Sequence, residues 1–203
     1  MLKTETMKSL EDIIKDSKPI DIEIGFGKGQ FIVGKAIEYK DVNFIGFEVK
    51  QGLVDYTISL IENDKLENIY VEKSFADKSI PLKIPNESIR NIYVNFPDPW
   101  WKRKHKKRRI LQSNFIKLFY NALQTGGIIY VRTDVKEYAQ FVEKNFAQFN
   151  EFQSIEHDII KDNIMSNREV RCISEGLDVY YLGFKKIISG TFDLDVSDTF
   201  KPE

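Results

Sequence analysis

A chain of 203 residues with a single cysteine, Cys172, can form no internal disulfide and suits a reducing compartment. Histidine is almost as scarce. With only His105 and His157 present, no nucleophile–base constellation is visible and no metal site is expected. Apolar runs are short, and none approaches the roughly 20 residues that span a bilayer. Residues 1–18 are charged and lack the apolar segment of a signal peptide, so the expectation is a soluble cytoplasmic protein with no membrane partner. An excess of one charge is missing too. Lys and Arg number 30 against 31 Asp and Glu, a net charge of −1, so any contact with a polyanion must be local.

What is present is a core. Hydrophobic residues make up 42% of the chain, enough for one domain. Strand-like and helix-like segments alternate: strands at 19–24, 43–47, 69–72, 89–96, 128–131 and 179–184, helices at 30–39, 52–61, 109–123 and 135–149. The helix at 109–123 carries Ile110, Leu111, Phe115, Leu118, Phe119 and Ala122 at helical spacing, with Gly126-Gly127 as its break. Such alternation predicts an α/β fold, a doubly wound and mostly parallel sheet with helices on both faces. Residues 1–18 read as an N-terminal extension, 19–188 as a single domain and 189–203 as a flexible acidic tail. The stretch 156–172 is polar and reads as an irregular insertion near the active face.

Two stretches carry chemistry. The first strand runs into Glu23-Ile24-Gly25-Phe26-Gly27-Lys28-Gly29. Glycines allow a tight turn and close approach of a ligand to the backbone, and the next helix offers free N–H groups. The G-x-G-x-G spacing is one residue shorter than the dinucleotide fingerprint, which favours S-adenosylmethionine over NAD. Glu48 ends the second strand, where a carboxylate can accept both ribose hydroxyls. The second stretch is 95–109. A strand ends in Asn95-Phe96, Asp98 stands between Pro97 and Pro99, Trp100 and Trp101 follow, and every residue from Lys102 to Arg109 is basic or histidine. A rigidly held acid suits a substrate grip, and indoles beside clustered cations suit nucleic acid.

Taken together, the glycine loop, Glu48 and the Phe96-to-Arg109 segment resemble the bacterial tRNA (guanine-N7)-methyltransferase family, over about residues 19 to 186. The resemblance extends to Arg132-Thr133-Asp134 and, in altered form, to Ser166-Asn167-Arg168-Glu169. It implies a seven-stranded Rossmann-like methyltransferase fold. The implied reaction moves a methyl group from S-adenosylmethionine to N7 of guanine 46 in the tRNA variable loop, by a monomer or homodimer. On the matched positions, Glu23, Gly25, Gly27, Gly29, Glu48, Phe75 and Asp98 meet the methyl donor, and Asp98 and Asp134 are catalytic. Lys102, His105, Arg108, Asp134, Ser166, Asn167, Arg168 and Glu169 meet guanine and RNA. This chain departs from the family at three places. Phe75 stands where an acid usually meets the donor's adenine, leaving either Phe75 to stack there or Asp77 to substitute. Ser166 replaces threonine, and Arg168 replaces an aromatic residue, though a guanidinium also stacks.

The chemistry agrees with what is scarce. Guanine N7 has an in-plane lone pair and no proton to lose, so no general base is required, and alignment plus nearby carboxylates suffices. Asp134 or Asp98 can accept the two adjacent donors of the guanine Watson–Crick edge. The alternatives are an amino-methyltransferase on another RNA base, a tRNA-binding protein without catalysis, and an NAD-dependent oxidoreductase. The Pro-Asp-Pro-Trp order, the intact glycine loop and the glycine spacing disfavour them respectively.

Overall fold

The chain's computed structural model describes residues 8–101, 104, 108–156 and 163–194. Seven strands form one sheet: β1 (Ile20–Ile24), β2 (Asn43–Glu48), β3 (Ile69–Lys73), β4 (Ile89–Asn95), β5 (Leu123–Thr133), β6 (Phe152–Ile155) and β7 (Tyr180–Lys186). Their order is β3-β2-β1-β4-β5-β7-β6. All pairings from β3 to β5 are parallel, whereas β7 runs antiparallel to both β5 and β6. The order reverses between β1 and β4, and a crevice opens beyond their carboxyl ends, the place where open α/β sheets bind ligands.

Helices cover both faces. One apolar cluster joins the sheet to Ile80 of α4 (Ala76–Lys83), Ile116 and Phe119 of α5 (Ser113–Ala122), and Tyr138 and Val142 of α6 (Lys136–Phe146). The other packs Ile32 and Ala36 of α2 (Gln30–Glu38) with Val54 and Ile61 of α3 (Gln51–Asn63). Burial on both faces explains β1. Its alternation of Ile20, Ile22 and Ile24 with two acids suggests one wet face, yet all five residues are buried. Asp21 is satisfied there by Arg90, at 2.9 and 2.8 Å, and by Asn91 and Tyr93.

Several elements differ from expectation. α5 starts at Ser113, because Arg109 to Gln112 close a loop instead. Gly126 and Gly127 lie within β5, where a Cβ at Gly127 would come 2.5 Å from the Arg90 carbonyl oxygen. Short α1 (Leu10–Lys15), within the expected extension, buries Ile13 completely and is capped reciprocally by Ser9 and Asp12. The expected insertion at 156–172 includes the start of α7 (Asn167–Ser174); 157–162 lie outside the described residues.

Residues 189–194, expected to be the flexible start of the tail, are docked. Phe192 exchanges two backbone hydrogen bonds with the Asn121 side chain, at 2.7 and 2.8 Å, and packs on Tyr120 and Phe149. Fully buried Lys186 donates to the Tyr120, Leu123 and Gly190 carbonyls and to Glu87, pinning this segment under α5. Residues 195–203 lie outside the described residues.

Candidate active site

The glycine loop leaves β1 with Gly25, Gly27 and Gly29 all at positive φ, +73°, +57° and +73°. A Cβ at Gly25 or Gly27 would meet nothing within 4 Å, so bare backbone faces the crevice. Gly29 is required differently: its Cβ would lie 2.5 Å from Thr57, where α2 packs on α3. Glu48 shapes this loop. Its Oε2 accepts the Gly27 N–H at 3.1 Å, and its Oε1 accepts those of Val49 and Lys50 at 2.8 and 3.0 Å. The carboxylate thus fixes the turn while its remaining lone pairs are available to hydroxyls.

Loop and acid line a cavity of about 640 Å³, roomy enough for a nucleoside-sized group. Phe75 caps α4 at its rim, 40% exposed, and Asp77 is buried at its wall. Phe96, Asp98, Trp100 and Arg108 close the opposite side.

A second cavity, about 790 Å³, shares Gly25, Gly27 and Asn95 to Asp98 with the first. Asp98 therefore stands where the two meet, exposed to both. Glu23 lies in the floor of the second cavity, 3% exposed. Its Oε1 accepts from Asn95 at 2.9 Å, whereas Oε2 finds no hydrogen-bond partner among the described residues. Burial pushes its carboxyl up to about 7, against the opposing pull of the Asn95 amide and the Arg132 charge. A buried acid with an unused oxygen beside bare backbone fits a cationic, nucleoside-bearing ligand such as S-adenosylmethionine.

Residues 95–101 and 108–111 are held by contacts of their own side chains and of α6. Phe96, Trp100 and Leu111 take positive φ, strain that surrounding contacts must maintain. Arg109 supplies one of them: its Nε donates to the Pro99 carbonyl at 2.7 Å, and its guanidinium lies over Phe141 and Tyr138. Arg109, last of the basic run, is thus a buried clasp and not a surface cation. Arg108 lies over Trp100 in the first cavity, and Trp101, 61% exposed, faces the second. Lys102, His105, Lys106 and Lys107 lie outside the described residues.

Asp134, Ser166, Asn167 and Arg168 form the far wall of the second cavity. Asp134 does not cap α6; the N-cap is Val135, whose N–H is taken by the Thr133 hydroxyl. Its carboxylate instead accepts from Arg168 Nη2. Ser166 spends its hydroxyl on capping α7, in a reciprocal box with Glu169. Glu169, expected to touch RNA, is only 2% exposed. It pairs with Arg132 at 2.8 Å and accepts from the Tyr181 hydroxyl at 2.8 Å, so it anchors the wall from behind. Arg132, 1% exposed, also donates to the Ile164 carbonyl. Neither this pair nor Asn95 was foreseen. The Ser-x-x-Glu spacing of 166 to 169 was the available signal for the helix and its buried acid.

Among the described residues no group of three or more His, Cys, Asp or Glu could hold a metal ion, and no helix is long and apolar enough to cross a membrane.

A family described as "Putative methyltransferase" matches residues 17–182. The tRNA (guanine-N(7)-)-methyltransferase of Oceanobacillus iheyensis is 31% identical over 181 residues, covering 83% of this chain and 81% of that protein. A protein of the same name from Aquifex aeolicus is 31% identical over 168 residues and covers 83% of this chain, which spans 57% of its length. Among solved structures, a SAM-dependent methyltransferase from Aquifex aeolicus superposes with a TM-score of 0.56 at 12% identity, covering 89% and 90% of the two chains. That likeness is one of fold.

Proposed function

This chain belongs to the tRNA (guanine-N7-)-methyltransferase family, and we propose that it methylates N7 of guanine 46 in the tRNA variable loop, in the cytoplasm, as a monomer or homodimer. The methyl donor is S-adenosylmethionine, which supplies an electrophilic methyl on a sulfonium. The observation that carries this reading is the meeting of two cavities at Asp98, one lined by the glycine loop and Glu48 and the other walled by Asp134.

In this reading, Gly25 and Gly27 with Glu48 and Phe75 seat the donor in the first cavity, Gly29 sets the turn that presents them against α3, and Glu23 reaches the donor from the floor of the second cavity. Asp98 lies at the junction, beside the path of the methyl group, where its charge favours a cation moving from sulfur to the ring. Asp134 accepts the Watson–Crick edge of a guanine turned out of its tertiary contacts, with Ser166, Asn167 and Arg168 shaping the wall. Glu169 contributes to the same wall through its hold on Ser166. Lys102, His105 and Arg108 grip the RNA backbone. No proton transfer is needed, because N7 offers its lone pair directly. The methyltransferase domain is read as residues 19–188 with α1 and residues 189–194 packed onto it, since Ile13 and Phe192 join its core.

The test uses methyl-labelled S-adenosylmethionine and two tRNA transcripts, one with guanine at the target position and one with 7-deazaguanine there. Label is expected only in the first. Label in both transcripts moves the reaction to another atom, and label in neither leaves a binding protein.

A further inference from the structure

The contact between Arg168 and Asp134 has a chemical likeness to the substrate assigned to this cavity. Arg168 is the second residue of α7, and the first turn of that helix is fixed from behind. Ser166 and Glu169 cap each other, and Glu169 is tied to Arg132 and Tyr181. The wall thus delivers one guanidinium nitrogen, Arg168 Nη2, onto Asp134 Oδ2, in an ion pair whose side chains are 42% and 17% exposed. Arg132, the other arginine nearby, is 1% exposed and engaged by Glu169 and the Ile164 carbonyl, so it cannot leave. Arg168 can.

A guanidinium and the Watson–Crick edge of guanine present the same fork: coplanar N–H donors on two nitrogens bonded to one carbon. A carboxylate accepts either fork through parallel N–H···O bonds. We propose that Arg168 occupies the guanine-recognition position on Asp134 in the RNA-free protein, and that the incoming guanine displaces it, one fork exchanging for the other.

The exchange keeps Asp134 paired in both states. Without RNA, Arg168 neutralises a carboxylate that would otherwise repel approaching phosphates. With guanine bound, the guanidinium has left the base edge before methyl transfer places positive charge on the ring, where a cation held close would oppose the reaction. Arg168 is then an internal competitor for the guanine site, and its removal has a sign that a direct RNA contact does not share. This inference rests on the guanine reading of the second cavity.

The experiment measures equilibrium binding of unmodified tRNA at one fixed salt concentration, with S-adenosylhomocysteine present. It compares the full-length protein with Arg168→Gln, Arg168→Met, Asp134→Asn and the Arg168→Gln/Asp134→Asn double variant. Loss of a partly exposed ion pair from the free state should tighten tRNA binding roughly two- to fivefold in both single Arg168 variants. In the Asp134→Asn background the same Arg168 change should have no effect, because nothing remains to be vacated. Weaker binding in both backgrounds overturns the exchange and makes Arg168 a direct RNA contact. Unchanged tRNA binding in the single Arg168 variants, with Asp134 intact, overturns it as well. Label transfer by the unaltered protein to the guanine transcript but not the 7-deazaguanine one is read in the same series. Its failure removes the guanine reading itself, independently of what the Arg168 variants do.

Discussion

Replacing Glu23 by glutamine tests the floor of the site most directly. The folded carboxyl titrates at about 7, against 4.5 for an unburied glutamate, because burial disfavours its charge. The unfolded chain releases this proton near 4.5 and the folded protein holds it to about 7. Between those values the folded state binds more protons, so its stability falls as pH rises and levels off above the folded value. At roughly 1.4 kcal/mol per unit, ionised Glu23 destabilises the ligand-free protein by about 3 kcal/mol at pH 8, and by less than about 1 kcal/mol at pH 5. Glu23→Gln keeps the shape and the reach to Asn95 but has nothing to ionise. Its advantage over the parent should grow by about 2 to 3 kcal/mol from pH 5 to pH 8, a relative Tm rise of roughly 5–10 °C for a chain of this size. Thermal unfolding of both proteins at pH 5, 6.5 and 8 reads this difference, and the other titrating groups cancel. Calorimetric titration with S-adenosylmethionine supplies the functional arm: affinity should rise through pH 7 in the parent and stay flat, and weaker, in the variant. A stability difference that does not change with pH refutes the buried charge, whatever happens to binding.

Other perturbations reach other parts of the site. Asp98→Ala removes an exposed carboxylate, so Tm should hold to within about 2 °C while turnover falls a hundredfold or more; retained turnover takes Asp98 out of the reaction. Gly29→Ala combines a φ of +73° with a Cβ 2.5 Å from Thr57 and should cost about 2–4 kcal/mol in urea unfolding. Part of that loss should return with Thr57→Ala, and full stability in Gly29→Ala alone would contradict the close packing of α2 on α3. Replacing Lys106, Lys107 and Arg108 together by alanine should weaken tRNA binding and reduce the slope of log affinity against log salt by up to about 2 to 3. An unchanged slope places the RNA backbone elsewhere.

How much of this was legible depended on where each signal lay. Residues 22–29 and 95–101 announce themselves because a glycine turn and a proline-flanked acid restrict the backbone locally, whatever surrounds them. The short elements were harder. Pro81 inside α4 reads as a break, and β6 buries Phe152 but little else, so neither pattern stands out from a loop. Arg109 looks like one more cation after seven neighbours of similar kind. Only the chain's return past α6 makes it a clasp on Pro99. Glu169 and Arg132 lie 37 residues apart in sequence and meet at 2.8 Å, a pairing that no local pattern encodes.

By itself, then, the sequence determined the alternating elements, the glycine turn, the acids at the strand ends and the local concentration of positive charge, since each follows from residue type and short-range spacing. The tertiary structure alone decided which of those groups remain free to act. Sheet order set Asp98 between two cavities, and burial left Glu23 with an unused oxygen. Packing from behind committed Glu169 to the scaffold and brought Arg168 onto Asp134. Those outcomes depend on contacts between segments far apart in the chain, where solvent exclusion and long-range pairing, rather than residue identity, set the charge and reach of a side chain.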